Sequence, residues 1–240
     1  MMGGLHVEMA LLKVIGDFLA GSGWTSVMTS AGVTTEGRAE SLQKGSQTSK
    51  SQWAHQVNAV ALYISQRKAY DDYRRTCGTE NLQSFDLWSQ KMVSECPQFC
   101  YWNKVLQLEC LPLAFIRSQQ EANYTLYVQT LTAIIPWMLA MDHYHYARWL
   151  TVHETDLQEL PNDSVVDVHR AFVKGNFVTQ KSSHKFSALA HDQIHEQPQN
   201  VIVKGDGGVI GITENEAAHR RWMVAGSEIA RIVNEFEDQF

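Results

Sequence analysis

The densest group of side chains that could do chemistry is a mixture of histidines and acids in the last quarter of the chain. Its members are His184, His191, His195, Asp192 and Glu196. If this segment is one helix, the three histidines share a face through spacings of seven and four residues, and Asp192 and Glu196 form a second pair one turn apart. Imidazole and carboxylate groups are common protein ligands of divalent metals, so the segment is a candidate metal site.

Two metal chemistries and one alternative without chemistry fit this segment. His191-Asp192-x-x-His195 imitates the H-E-x-x-H motif of zinc hydrolases. The shorter Asp draws the base away from a metal-bound water, and no third ligand follows at helical spacing, which argues against Zn²⁺. Alternatively, Asp192 or Glu196 binds a cation such as Mg²⁺ together with carboxylates from elsewhere in the chain. The third alternative is a solvated polar helix face.

A second cluster could contact nucleic acid through stacking. Asp142, His145, Trp149 and His153 fall on one face of a predicted helix, and Arg148 lies beside them. Aromatic rings and arginine can stack on bases. The same pattern is typical of an amphipathic helix whose rings pack in a core.

A glycine-rich segment, 204–213, comes directly before a predicted helix. It lacks the lysine and hydroxyl residue of a P-loop, so phosphate binding of that kind is not indicated. Thr213 and Glu216 form a capping box that starts the helix. Arg220 and Arg221 then form a small basic patch near the start of this helix. The patch either binds an anion or is simply solvated.

Composition places the chain among globular proteins. It has 240 residues, is 44% hydrophobic and 19% charged, and carries a formal net charge of −6. These values exclude wholesale disorder and do not favour a protein that coats nucleic acid. No apolar run approaches the roughly 20 residues of a membrane-spanning helix, and no basic segment precedes a signal-peptide core. Four cysteines without a C-x-x-C pair indicate free thiols in a reducing compartment, so we expect an intracellular protein, in nucleus or cytoplasm.

The elements that must position these residues are predicted to be helices almost throughout. The predicted helices span residues 5–20, 24–31, 53–73, 84–93, 97–116, 121–137, 137–160 and 165–173. An exposed loop is predicted up to residue 50, and Pro136 is predicted to separate two helices. On the third helix the core-facing side is predicted to be Trp53, Val57, Val60, Ala61 and Ile64. Strand signals are confined to 177–179 and 201–203, so the predicted fold class is a mainly α multi-helix bundle.

Six short phrases of the sequence carry a family resemblance. They are Gly3–Met9, Gly21–Trp24, Asp142–Trp149, Gly175–Lys181, Ala190–Gln197 and Lys204–Gly208. Through them the chain resembles a multicopy group of uncharacterised eukaryotic proteins that look derived from transposable elements. The longer members of that group have an RNase H-like transposase core interrupted by a long helical insertion. The resemblance implies a DNA substrate in the ancestral protein.

The resemblance also implies a division of the chain. Residues 24–180 would be the helical insertion, and 1–23 and 181–240 would be remnants of the RNase H-like core. The whole, 1–240, would be one domain and a fragment of a longer protein. Lys181 and Lys185, together with Arg148, Arg220 and Arg221, are then the candidate contacts to DNA.

An RNase H-like nuclease holds two Mg²⁺ ions with three acidic side chains. The resemblance matches the last of these acids to Glu196, with Asp192 as the alternative, and matches His6 to the histidine of an acid-x-x-His motif. Gly3 stands where that motif carries its acid, and the first catalytic aspartate is missing. We therefore expect that this fragment binds no Mg²⁺ and cleaves no DNA.

Three hypotheses follow from the sequence. The first is an inactive, transposase-like protein with residual DNA binding. The second is a helical protein-interaction module without enzymatic activity. The third is a metal-dependent hydrolase that uses the histidines and acids of residues 191–196.

Overall fold

The structure is a computed structural model that describes residues 3–77, 82–162 and 166–196. It confirms the predicted mainly α, multi-helix fold class. The chain divides into two compact units, residues 1–190 and residues 191–240. The predicted limits of the helical insertion, 24–180, do not coincide with this division.

Nine α-helices, one 3₁₀ turn and a two-stranded ribbon lie in the described part of the first unit. The helices are α1 (Gly4–Phe18), α2 (Trp24–Ser30), α3 (Glu36–Gln43), α4 (Thr48–Thr76), α5 (Phe85–Glu95), α6 (Pro97–Gln120), α7 (Tyr124–Ala140), α8 (Tyr144–Glu159) and α9 (Val166–Val173). The 3₁₀ turn, Leu160–Asn162, follows α8. Of the second unit, residues 191–196 are described, and they are helical. No helix in the described ranges combines the length and apolar character needed to cross a bilayer.

The ribbon follows α9 and pairs two short strands. Strand β1 (Thr179–Gln180) runs antiparallel to β2 (Ala188–Leu189), with Thr179 opposite Leu189. Phe177 and Val178 are buried just before β1. The first predicted strand signal, at 177–179, therefore overlaps the start of the ribbon and the buried residues that attach it to the core. The second signal, at 201–203, lies outside the described residues.

Helix α1 lies at the centre of the core of the first unit. Its completely buried apolar residues include Val7, Leu11 and Ile15, which follow one another at four-residue spacing, as is typical of an amphipathic helix. The helix packs against α3, α4, α6 and α7. At Gly16 the backbone of α3 comes so close that a methyl group would lie 1.6 Å from the carbonyl oxygen of Gln43.

The most prominent error of the sequence predictions concerns which side of α4 is buried. The predicted core stripe is solvent-exposed: Trp53 is 51% exposed, Val60 58% and Ile64 46%. The buried side instead carries small and polar residues, namely Ser51, Ala54, His55, Asn58 and Ala59. Small side chains let neighbouring helices approach closely, and the polar groups find partners inside, so this side packs better than the bulkier apolar stripe.

Two other predictions from the sequence were also wrong. The predicted loop up to residue 50 contains α3 and the start of α4. Helix α7 continues through Pro136 because a single missing backbone bond is tolerated where packing against α6 and α8 holds the helix. The helix ends instead with Asp142 in the left-handed region at φ 61°, and the amides of Asp142 and His143 close the turn on the carbonyls of Leu139 and Met138.

The end of α6 is closed in the same way by another residue that is not glycine. Ala122 has φ 53°, and Asn123 donates its amide to the carbonyl of Ser118. The turn that ends α9 packs against this one, with Gly175 at φ 97°. A methyl group at Gly175 would lie 2.8 Å from Ala122 Cβ, so the two helix ends leave no room for a side chain there.

Candidate functional site

The structure places the predicted catalytic residues on two different helices. His6 is exposed on α1 in the first unit. Asp192 and Glu196 are half-buried and lie one turn apart in the helical residues 191–196 of the second unit. His184 does not extend this helix, because residues 182–187 form the turn of the ribbon; the interpretation of three histidines on one helix face was therefore wrong.

The expectation that this fragment binds no Mg²⁺ stays a prediction. Within residues 3–77, 82–162 and 166–196, no group of three His, Cys, Asp or Glu side chains is close enough together to hold a metal ion. The glycine-rich segment 204–213, the capping box and the basic pair Arg220 and Arg221 lie outside the described residues.

Three of the five predicted DNA contacts can be placed. Arg148 is exposed on α8, and its guanidinium carbon lies 5.5 Å from the ring centre of Trp149. Lys181 and Lys185 are exposed on the turn of the ribbon. Lys185 and His184 border a groove of about 740 Å³ that runs between this turn and the end of α6. All three side chains are accessible to a large ligand.

Only some residues of the predicted aromatic stripe at residues 142–153 lie on one face of a helix. Asp142 precedes α8, and His145 and Trp149 point away from the core. His153 is buried, and its Nε2 atom lies 3.3 Å from the hydroxyl oxygen of Tyr127. Burial lowers the pKa of His153 because the charged imidazolium is poorly solvated there.

The two ends of the helical region meet in the first unit. A methyl group at Gly4, at the start of α1, would lie 2.9 Å from Cβ of Ala190 and 2.5 Å from Oε1 of Gln119. Ala190 directly follows β2 and is buried, as is Gly4. The two ends of a stretch of 187 residues, 4 to 190, therefore lie next to each other in the core.

The sequence predictions missed a buried polar network that joins α4 to α6. Glu109 of α6 is fully buried, and its Oε1 atom accepts a hydrogen bond from Asn58 Nδ2 at 2.7 Å and lies 3.1 Å from His55 Nδ1. The ring of Trp24 stacks on His55, with centroids 5.5 Å apart. Within the described part of the chain, Glu109 Oε2, His55 Nε2 and Trp24 Nε1 are buried without a hydrogen-bond partner.

Burial dominates the electrostatics of this network. Loss of solvation raises the pKa of Glu109 above the usual range of a glutamate, while His55 and Asn58 oppose that rise by favouring the charged form. An incompletely paired carboxyl group inside a small helical protein destabilises the fold. A buried polar network of this kind is often retained where it holds a polar side chain in one orientation.

One sequence signal could have found this network. Glu109 follows Val105 by four residues and precedes Pro112 by three, so it lies within the buried stripe of α6. A lone acid in an apolar stripe must either find polar partners or be neutral.

Comparison with known families finds a match over most of the chain. The model of a domain of unknown function, DUF8702, matches residues 63–240, which is 178 of the 240 residues. The chain belongs to the DUF8702 family. The DUF8702 match begins inside α4 and includes Glu109 and Glu196, whereas His6, Trp24, His55 and Asn58 precede it. No curated protein and no solved structure matches the chain.

Proposed function

We propose that this chain derives from a transposable element and that its helices are the insertion of an RNase H-like transposase, retained as a DNA-binding module without catalysis. The observation that carries the proposal is the meeting of Gly4 and Ala190. A domain inserted into another must begin and end at nearby points, so that the host strands on either side remain connected.

The fold class supports the same proposal. The region between Gly4 and Ala190 is almost entirely helical in its described residues. Because its core is centred on α1, the proposed insertion is wider than the 24–180 that the resemblance implies. It can therefore fold around its own core, as an inserted domain must. Two of the six phrases that carry the family resemblance lie at the ends of this region, at Gly3–Met9 and Ala190–Gln197.

Loss of catalysis is part of the proposal. Gly3 occupies the position at which the acid-x-x-His motif of related transposases carries its acid. Two Mg²⁺ ions need several carboxylates to replace their water ligands, and the resemblance assigns only Glu196, with Asp192 as the alternative. We expect Mg²⁺-dependent cleavage to be absent, whereas DNA binding needs only the exposed basic side chains.

The test is a titration of the full chain against a fluorescein-labelled DNA duplex between about 50 and 200 mM salt. We expect salt-sensitive binding, and we expect the double substitution Lys181→Gln, Lys185→Gln to lower the slope of log affinity against log salt by about 2. Lys68→Gln with Lys91→Gln is the matched control, since these two lysines are exposed on helices α4 and α5 and not on the ribbon.

Two outcomes would overturn the proposal. One is binding that is absent or that both double variants weaken equally. The other is cleavage of the duplex in Mg²⁺ that Glu196→Gln abolishes, because the chain would then be a working nuclease.

A second candidate function is supported by the exposed apolar stripe on α4. Trp53, Val60, Tyr63 and Ile64 are each 46% to 58% exposed. Large exposed apolar patches often mark protein interfaces, which favours a helical protein-interaction module. Selection from a library of amphipathic helical peptides tests this: peptides should bind the unmodified chain and fail to bind Ile64→Lys. Peptides that bind the unmodified chain and Ile64→Lys equally would show that the stripe is not the binding surface.

A further inference from the structure

An apolar cavity of about 600 Å³ lies between α2, α4, α5 and α6, on a different side of α4 from the exposed stripe. Three aromatic rings contribute to its wall, those of Trp24, Phe99 and Trp102. The volume is in the range of cavities that hold drug-sized molecules, which are usually lined by apolar and aromatic side chains with a few polar groups.

The polar groups of the cavity narrow the choice of ligand. None of the described residues that line it carries a charge; the polar ones are Asn58, Ser65, Gln66, Cys96 and Gln98. A charged ligand would lose its hydration without gaining a counter-ion, so the occupant must be uncharged.

Asn58 supplies an amide acceptor in the wall of the cavity that no hydrogen bond among the described residues uses. Its side chain is 93% buried, lines the cavity, and donates through Nδ2 to Glu109. That hydrogen bond fixes the amide, so Oδ1 cannot exchange places with Nδ2. Oδ1 has no hydrogen-bond partner among the described residues. Ser65 is exposed and Gln66 is half-buried, so their acceptors are open to water, and their donors already bond to the carbonyl of Ala61 and to Asn103.

We propose that this cavity binds an uncharged, flat, aromatic or aliphatic small molecule that donates one hydrogen bond to Asn58 Oδ1. The buried network then has a function: Glu109, which also contacts His55, holds the Asn58 amide in the orientation that presents its oxygen to the ligand. The proposal does not depend on the origin of the chain or on DNA binding.

The experiment compares two probes that differ in one proton. 2-Naphthol carries a hydroxyl donor, and 2-methoxynaphthalene has nearly the same shape without it. Calorimetric titration of the full chain, with saturation-transfer NMR for weak binding, should detect 2-naphthol at or below about 1 mM. We expect the methoxy analogue to bind about two- to tenfold more weakly, which is the net effect of one hydrogen bond.

A matched pair of variants locates the site. Ala61 lines the cavity and is solvent-exposed, so Ala61→Trp fills the space without disturbing the core. We expect it to weaken 2-naphthol binding about tenfold or more. Gln56→Trp introduces the same ring on the same helix outside the cavity and should leave the affinity unchanged.

Three results would overturn the assignment. Equal affinity of the two probes would exclude the role of Asn58, and equal binding to the two variants would place the probe elsewhere. If an amphipathic helical peptide occupied the cavity and 2-naphthol did not bind, the site would be a groove for a protein helix instead.

Discussion

Glu109 affects stability in two ways: its carboxyl group accepts hydrogen bonds from buried donors, and its charged form is costly to bury. Substitutions of Glu109 should separate these two effects. Glu109→Leu deletes the acceptor for both Asn58 Nδ2 and His55 Nδ1, whose residues are 7% and 1% exposed. Each buried donor left without a partner costs about 1–3 kcal/mol, and the added apolar surface of leucine offsets part of this. We expect a net loss of about 3 kcal/mol.

Glu109→Gln keeps the shape and an acceptor oxygen but cannot ionise. Burial raises the pKa of Glu109 above the ordinary value of 4.5. The folded state therefore binds the proton more tightly than the unfolded state. The stability that comes from this group is complete below pH 4.5 and is lost as the pH rises through the raised pKa. One group changes the free energy of unfolding by at most about 1.4 kcal/mol per pH unit.

The assay is urea unfolding followed by circular dichroism at about pH 5 and about pH 8. Relative to Glu109→Gln, the unmodified chain should lose stability between the two pH values, while Glu109→Leu should be less stable at both. Glu95→Gln and Glu95→Leu are the controls, because Glu95 is exposed at the end of α5. If the unmodified chain and Glu109→Gln kept a constant difference, or if Glu109→Leu lost less than about 0.5 kcal/mol, the account of the network would be wrong.

Three further predictions concern close backbone contacts and one buried histidine. Gly16→Ala should cost at least about 3 kcal/mol of stability, because its methyl group meets the backbone of α3. Gly37→Ala has open space around it and should stabilise the chain by about 0.5–1 kcal/mol. Thermal unfolding of the two variants measures both changes. Gly175→Ala should cost about 1–3 kcal/mol, and Ala122→Gly should gain about 1 kcal/mol and relieve part of that cost in the double variant; an additive double variant would contradict the contact. Because burial lowers the pKa of His153, stability present above pH 6.5 is lost as the pH falls through the lowered pKa, so His153→Gln should lose less stability than the unmodified chain between about pH 7.5 and pH 5.5 in urea unfolding.

Periodicity in the sequence was enough to predict the fold class and most helices. The extent of α1, predicted at 5–20 and observed at Gly4–Phe18, follows directly from apolar spacing. Periodicity failed on α4, where the more apolar side is exposed and the side with His55 and Asn58 is buried. Hydropathy alone cannot anticipate that polar residues will be buried by pairing with Glu109, which lies 51 residues beyond Asn58 in the chain.

The candidate site was less predictable than the fold. The residues with recognisable motifs, such as His191 and Glu196, lie in short local patterns that sequence shows well. The cavity residues Trp24, Asn58 and Trp102 come from separate helices and form no local pattern. Their proximity depends on how α2, α4 and α6 cross, which is a property of tertiary packing.

The meeting of Gly4 and Ala190 also bears on how easily such a region moves between proteins. A disordered insert of this length would burden its host with the entropy of closing a loop of nearly 190 residues. A folded insert whose ends touch imposes roughly the closure of a loop of a few residues, a difference on the order of 4 kcal/mol. That amount is a large share of the stability of an ordinary domain. If the region is an insertion, as proposed above, its close ends would therefore disturb the fold of a host protein little.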